Sequence, residues 1–177
     1  MDTIFSGVVN RTSPDFAKFD AALSYDPDTG EIRWKRTVGR AQQGAIAGSI
    51  TRIGRFSYRT IQVAGKRTYA HRIAWLLAHG FWPAALIDHK NRNTLDNRLT
   101  NLREATPSQN SANCKRHSRK SRGVKGVYWN SANRKWVSYI RRDGKSRYIG
   151  SFSNIDDAAR AYEQAAKALF GEFARTG

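Results

Sequence analysis

Seven consecutive residues, Lys115 to Ser121 (KRHSRKS), carry four Lys/Arg and no apolar side chain. A run with nothing to bury cannot lie inside a hydrophobic core, so it reads as a linker. It divides the chain into a module at 21–114 and a second at 122–177. Residues 1–20 show no convincing period and are expected to form a loose lead-in. At 177 residues the chain has room for one large domain or two small ones.

Charge narrows the partner. The chain has 31 Lys/Arg against 14 Asp/Glu, a net charge of +17. Such an excess repels itself in a compact state and points to a polyanion. No apolar run approaches the ~20 residues that span a bilayer. The start, MDTIFSGVVNRTSPDF, lacks the basic-then-apolar layout of a signal peptide. A single cysteine, Cys114, excludes an internal disulfide and a multi-cysteine zinc cage. The expectation is a cytoplasmic, nucleic-acid-binding protein with no membrane partner.

The periodicity predicts an α+β fold. Tyr25 to Gly30 (YDPDTG) reads as a turn, and Glu31 to Lys35 alternates like a half-buried strand. Phe56 to Val63 alternates again, with Ala64-Gly65-Lys66 turning into Arg67-Thr68-Tyr69. Ala70 to His79 switches to helical period and stops at Gly80. Leu86-Ile87 is a short apolar strand, and an Asn-rich loop, 91–97, leads to a second strand at 101–104. Thr106 and Pro107 mark a helix start. Beyond the linker, three short strands (123–128, 135–141 and 146–149) precede a helix capped by Asn154 and ended by Gly171.

The densest chemistry lies between Asp88 and Asn110. Asp88 offers a carboxylate oxygen and Asn110 an amide oxygen, hard donors suited to Mg²⁺ or Mn²⁺. An imidazole such as His89, with an ordinary pKa of about 6.5, accepts a proton from water at neutral pH. These are parts for metal-assisted phosphodiester hydrolysis. The same residues also suit a capped surface loop. Asn93 and Asn97 either touch phosphate or shape that loop. His71 reads as a packed, hydrogen-bonded histidine, His79 as a helix C-terminal cation, and Trp34, Trp75 and Trp82 as core.

The run IDHKNRNTLDNRLTNLREATPSQNSAN resembles the HNH nuclease motif of phage and intron-encoded enzymes. The resemblance extends over roughly 25–114, with the motif at 86–114. It implies a ββα-metal unit, one divalent cation and a water nucleophile. His89 is then the general base, and Asp88 and Asn110 are the metal ligands. Asn101 orients His89 and steadies the loop. Two departures are Asn110 in place of a histidine, and Arg92 where a glycine is common.

From Lys115 to Arg147 there are twelve Lys/Arg and one acid, interleaved with Tyr128, Trp129, Trp136, Tyr139 and, just beyond, Tyr148. The sequence from Arg122 to Ala174 resembles the Apetala/ethylene-response-factor DNA-binding domain. That implies a three-stranded antiparallel sheet laid in the major groove with one helix behind it. Arg122, Lys125, Trp129, Arg141 and Tyr148 fall at DNA-contact positions. Arg134 and Arg147 complete the candidate set. Val127, Tyr139 and Ser146 depart from the pattern, and the first hairpin is longer, so the base sequence read does not carry over.

The combined expectation is a DNA endonuclease, a monomer or weak dimer, acting on double-stranded DNA with one divalent cation and no small-molecule cofactor. A non-cleaving DNA-binding regulator and a basic RNA-binding protein are the competing readings.

Overall fold

The computed structural model describes residues 14–114 and 124–175. The linker expected at 115–121 and the candidate contact Arg122 lie outside the described residues. The fold is α+β, as the periodicity predicted, and it divides into two compact units, Met1–Glu104 and Ala105–Gly177.

The first unit opens with a helix, α1 (Pro14–Ala22), where a loose lead-in was expected. Only three positions, Phe16, Phe19 and Ala22, carry its buried face, too few for the sequence pattern to stand out. Strands β1 (Leu23–Tyr25) and β2 (Ile32–Trp34) pair antiparallel. The turn between them closes as expected, the Gly30 N–H donating to Asp26 O at 2.9 Å. A meander follows: β3 (Ser49–Ile53), β4 (Phe56–Val63) and β5 (Lys66–Tyr69), with β4 in the centre.

Helix α2 (Ala70–His79) ends where Gly80 takes φ 84° and returns its N–H to Leu76 O. Ile73, Ala74 and Leu76 form its buried stripe. Together with Phe19, Leu23, Ile32 and Ile61 they make the core of this unit. Burial of each large side chain contributes about 1.5–3 kcal/mol. The last pair of strands, β6 (Leu86–His89) and β7 (Leu102–Ala105), carries the Asp-His pair at the end of β6.

The second unit contains α3 (Pro107–Asn113), β8 (Val127–Asn130), β9 (Lys135–Arg142), β10 (Lys145–Phe152) and α4 (Ile155–Phe170). The strands form one antiparallel sheet with β9 central. Helix α4 packs on it through Ala158, Tyr162, Ala166 and Phe170. Gly126, at φ 74°, permits the contact, since a Cβ there would collide with the Tyr162 ring.

Helix α3 starts on a complete capping box between Thr106 and Gln109, with Pro107 in its first turn. The division between units falls before this helix. Ala105 and Ala112 are buried with Trp136, Tyr162 and Phe173, so α3 belongs to the second core.

Candidate active site and nucleic-acid interface

Asp88 and His89 are each 5% exposed. Burying a carboxylate needs a compensating cation, and β7 supplies it. Arg103 donates from Nε to Asp88 Oδ2 at 2.9 Å, and its Nη2 lies 2.9 Å from the same oxygen. A carboxylate has acceptor capacity for about four donors, so this pair does not by itself exhaust Asp88.

His89 Nε2 lies 3.4 Å from Asn97 Oδ1. The Asn97 amide is oriented by Nδ2–H donating to Leu95 O at 3.5 Å. An amide oxygen only accepts, so this contact is a hydrogen bond in the tautomer that carries its proton on Nε2, which leaves the lone pair on Nδ1. Burial lowers the His89 pKa, with Asn97 and the Asp88 charge opposing it. His71 meets His89 edge-on, with ring centroids 5.1 Å apart. It is stacked on Tyr69, and burial pushes its pKa down to about 3. His71 is a packed histidine, as expected, although its packing partner is the candidate base.

Asn101 is buried in the 3₁₀ turn before β7. Its Nδ2–H donates to Asp96 O at 2.7 Å, and its Oδ1 accepts from Asn91 N–H at 3.0 Å. It clamps both ends of the 91–96 loop. Asn101 was expected both to orient His89 and to steady the loop; its two side-chain hydrogen bonds serve the loop, and the amide facing the His89 ring belongs to Asn97. Nothing local in the sequence distinguishes Asn97 from its neighbouring asparagines.

The 91–97 loop is braced from outside. The Tyr25 hydroxyl donates to Asn97 O at 2.7 Å, and Leu99 N–H donates to Pro27 O at 3.0 Å. Gly30 lies so close to the backbone at Asn97 and Arg98 that a Cβ would collide with it. Arg92 takes φ 65°, so the left-handed backbone that a glycine adopts freely is kept here by a bulkier residue. Asn110 sits half-buried on α3, its N–H donating to Thr106 O at 2.9 Å.

Asp88 and Asn110 are oxygen donors of the kind that Mg²⁺ or Mn²⁺ takes. Among the described residues no group of three or more His, Cys, Asp or Glu stands together.

The sheet of the second unit sorts the candidate DNA contacts. Arg141 pairs with Ser146 and Tyr139 with Tyr148, and Val137 lies along the same face of β9. This open face exposes Tyr139 (41%) and Tyr148 (59%), whose rings meet at 5.5 Å. Trp129 pairs with Trp136, and Arg147 with Ile140. Register therefore puts Trp129 and Arg147 on the α4 side, although both reach solvent. Arg134 sits in the β8–β9 turn at φ 47°.

Lys125 differs most from expectation. Its Nζ donates to the carbonyls of Ser111 (3.0 Å), Ala112 and Cys114 (3.1 Å), at the end of α3. It caps the last turn of that helix, where free carbonyls and the negative dipole end favour a cation.

Residues 68–112 match the HNH endonuclease family model. The chain is also 33% identical to Protein 3.8 of Escherichia phage T7 over 122 residues, which are 68% of this chain and 98% of that one. It belongs to the HNH endonuclease family. An uncharacterized HNH endonuclease, L560, of Acanthamoeba polyphaga mimivirus is 35% identical over 69% of this chain and 63% of its own length. A separate likeness, 46% identity over 56 residues, is to dehydration-responsive element-binding protein 2C of Arabidopsis thaliana. It covers 30% of this chain and 15% of the plant protein. No solved structure matches the chain significantly.

Proposed function

We propose that the chain is a divalent-metal-dependent, phage-type endonuclease that hydrolyses phosphodiester bonds of double-stranded DNA. Its second unit holds the duplex through the open face of β8–β10. The observation that carries the reading is His89: buried beside Asp88, its pKa lowered by burial, with Nε2 held 3.4 Å from Asn97 Oδ1.

His89 Nδ1 takes a proton from water as the water oxygen bonds to phosphorus. The bond from phosphorus to the leaving sugar oxygen then breaks, and that oxygen departs with the electron pair and takes a proton from solvent, while His89 returns its proton to solvent. Asp88 and Asn110 are the residues that would hold a Mg²⁺ or Mn²⁺ ion, which would supply Lewis-acid stabilisation of charge on the phosphate. Arg103 fixes the Asp88 carboxylate, while Asn101 and Asn97 fix the loop and the ring. Arg141 and Tyr148 contact DNA from the open face of the sheet, and Arg122, Arg134, Arg147 and Trp129 are the remaining proposed contacts. One such site cuts one strand, so a monomer nicks, and a double-strand break needs two passes or a dimer.

The test is incubation of the purified chain with supercoiled plasmid in Mg²⁺, Mn²⁺ or EDTA. Open-circular product is expected with either ion and none with EDTA. His89→Ala should reduce the rate by about 10²–10⁴-fold and leave DNA affinity intact. Cleavage within about tenfold of the parent would remove His89 from the role of base.

A further inference from the structure

From Ile32 to Ile87 the chain has no acidic residue and ten Lys/Arg. Several of these cations are taken: Lys35 pairs with Asp20, Lys66 with Asp15 and Arg33 with Glu31. Arg52 and Arg55, at the tip of the β3–β4 hairpin, pair with no described carboxylate. The Arg55 guanidinium lies over the Phe56 ring at 5.0 Å.

The same tip is apolar. Ile53 and Phe56 are a cross-strand pair, 44% and 37% exposed. Neither belongs to either core. Single exposed apolar residues are ordinary, but an exposed cross-strand pair at the end of a two-stranded ribbon, flanked by arginines with no described carboxylate, suits a binding surface.

The hairpin is also joined rigidly to the candidate active site. Phe56 meets Tyr58 at 6.3 Å, and Tyr58 meets Tyr69 at 5.3 Å. Tyr69 stacks on His71 at 5.3 Å, and His71 meets His89 at 5.1 Å. In parallel, the Thr94 hydroxyl of the Asn-rich loop donates to Ser57 O on β4 at 2.6 Å. A continuous row of rings and one loop-to-strand hydrogen bond therefore connect the exposed tip to the buried histidine.

We propose that the β3–β4 hairpin is a DNA-contacting ribbon, separate from the C-terminal sheet, that enters a groove of the duplex and sets which phosphate reaches His89. The location of the cut rests on the nuclease reading above; the binding surface does not. A two-stranded ribbon fits the major groove. Arg52 and Arg55 meet phosphates or guanine edges there, and Ile53 and Phe56 meet thymine methyl groups. A second copy docked tip to tip is disfavoured as occupant, because it would bring the same arginines against these.

The experiment uses the full chain in a His89→Ala background, so that binding is read without cutting. Affinity for a mixed-sequence duplex is measured across a salt series for the parent and for Arg52→Gln/Arg55→Gln. Each lost phosphate contact should reduce the salt slope by about 0.9, so a reduction of about 1–2 and an affinity loss of about tenfold at low salt are expected. Unchanged melting temperature keeps folding out of the comparison, and Ile53→Ser/Phe56→Ser provides a second variant without charge change. In the cutting-competent chain that second variant should redistribute nick positions on a sequencing gel.

Unchanged slope and affinity in the Gln variant overturn the proposal. So does a loss confined to binding of anionic vesicles, which would make the tip a membrane contact, or to self-association in sedimentation. If the parent never nicks plasmid in Mg²⁺ or Mn²⁺ yet the slope still falls, the nuclease reading fails and the DNA surface stands.

Discussion

Arg103 and Asp88 form a buried ion pair across the β6–β7 ribbon, Nε and Nη2 both at 2.9 Å from Oδ2, with only 10% and 6% of the two side chains exposed. Removing one member leaves the other charged and desolvated, which typically costs about 3–5 kcal/mol. Arg103→Ala should reduce unfolding free energy by that order in urea titrations. A loss below about 1 kcal/mol would show that the pair does not hold the ribbon.

Gly30 gives a prediction far from the chemistry in sequence. It touches the backbone at Asn97 and Arg98 and has φ 76°, so Gly30→Ala meets both a collision and a strained backbone. The loop carrying Asn97 must shift, and with it the His89 partner. Plasmid nicking should fall at least tenfold, because a misplacement of about 1 Å is worth up to about 10²-fold in rate. DNA affinity should hold. Normal nicking by a folded variant would show that the loop tolerates displacement.

Lys125 and Arg141 should separate structure from binding. Lys125 caps α3 within the second unit, whereas Arg141 stands exposed on the sheet with its Nε–H donating to Gly144 O. Lys125→Ala should lower the melting temperature and loosen α3, seen as faster amide exchange at Ala112 to Cys114. Arg141→Ala should keep the melting temperature and weaken DNA binding with a flatter salt slope. The opposite assignment of effects would reverse the roles given to these two side chains.

His71 predicts a pH dependence. Its pKa falls from about 6.5 unfolded to about 3 folded because burial disfavours the imidazolium. Below about pH 6.5 the unfolded chain binds a proton that the folded chain excludes. The His71 contribution is therefore fully present above that pH and is lost as pH falls towards 3, with a slope approaching about 1.4 kcal/mol per pH unit. His71→Phe should flatten the acid limb of a stability–pH curve. An identical limb in the variant would assign the acid sensitivity to other groups.

Much of this protein is determined by signals a few residues long. The turn at Asp26–Gly30, the Gly80 stop, the Thr106-Pro107 start and the Asn154 cap each fix local dihedrals or satisfy nearby N–H groups, and all appear where the sequence puts them. The order Asp88-His89, Asn101, Asn110 likewise defines the proposed site without a structure. What only tertiary structure decided is which distant surfaces meet. Tyr25 reaches Asn97 across 72 residues, and Asp88 reaches Arg103 across 15. Helix α1 forms where the pattern is too sparse to predict it, because Phe16 and Phe19 find a core. Lys125 turns from a candidate DNA contact into a helix cap because the carbonyl ends of α3 lie within reach of its ammonium. Such partners are set by burial and long-range packing, which neither the spacing nor the type of a residue encodes.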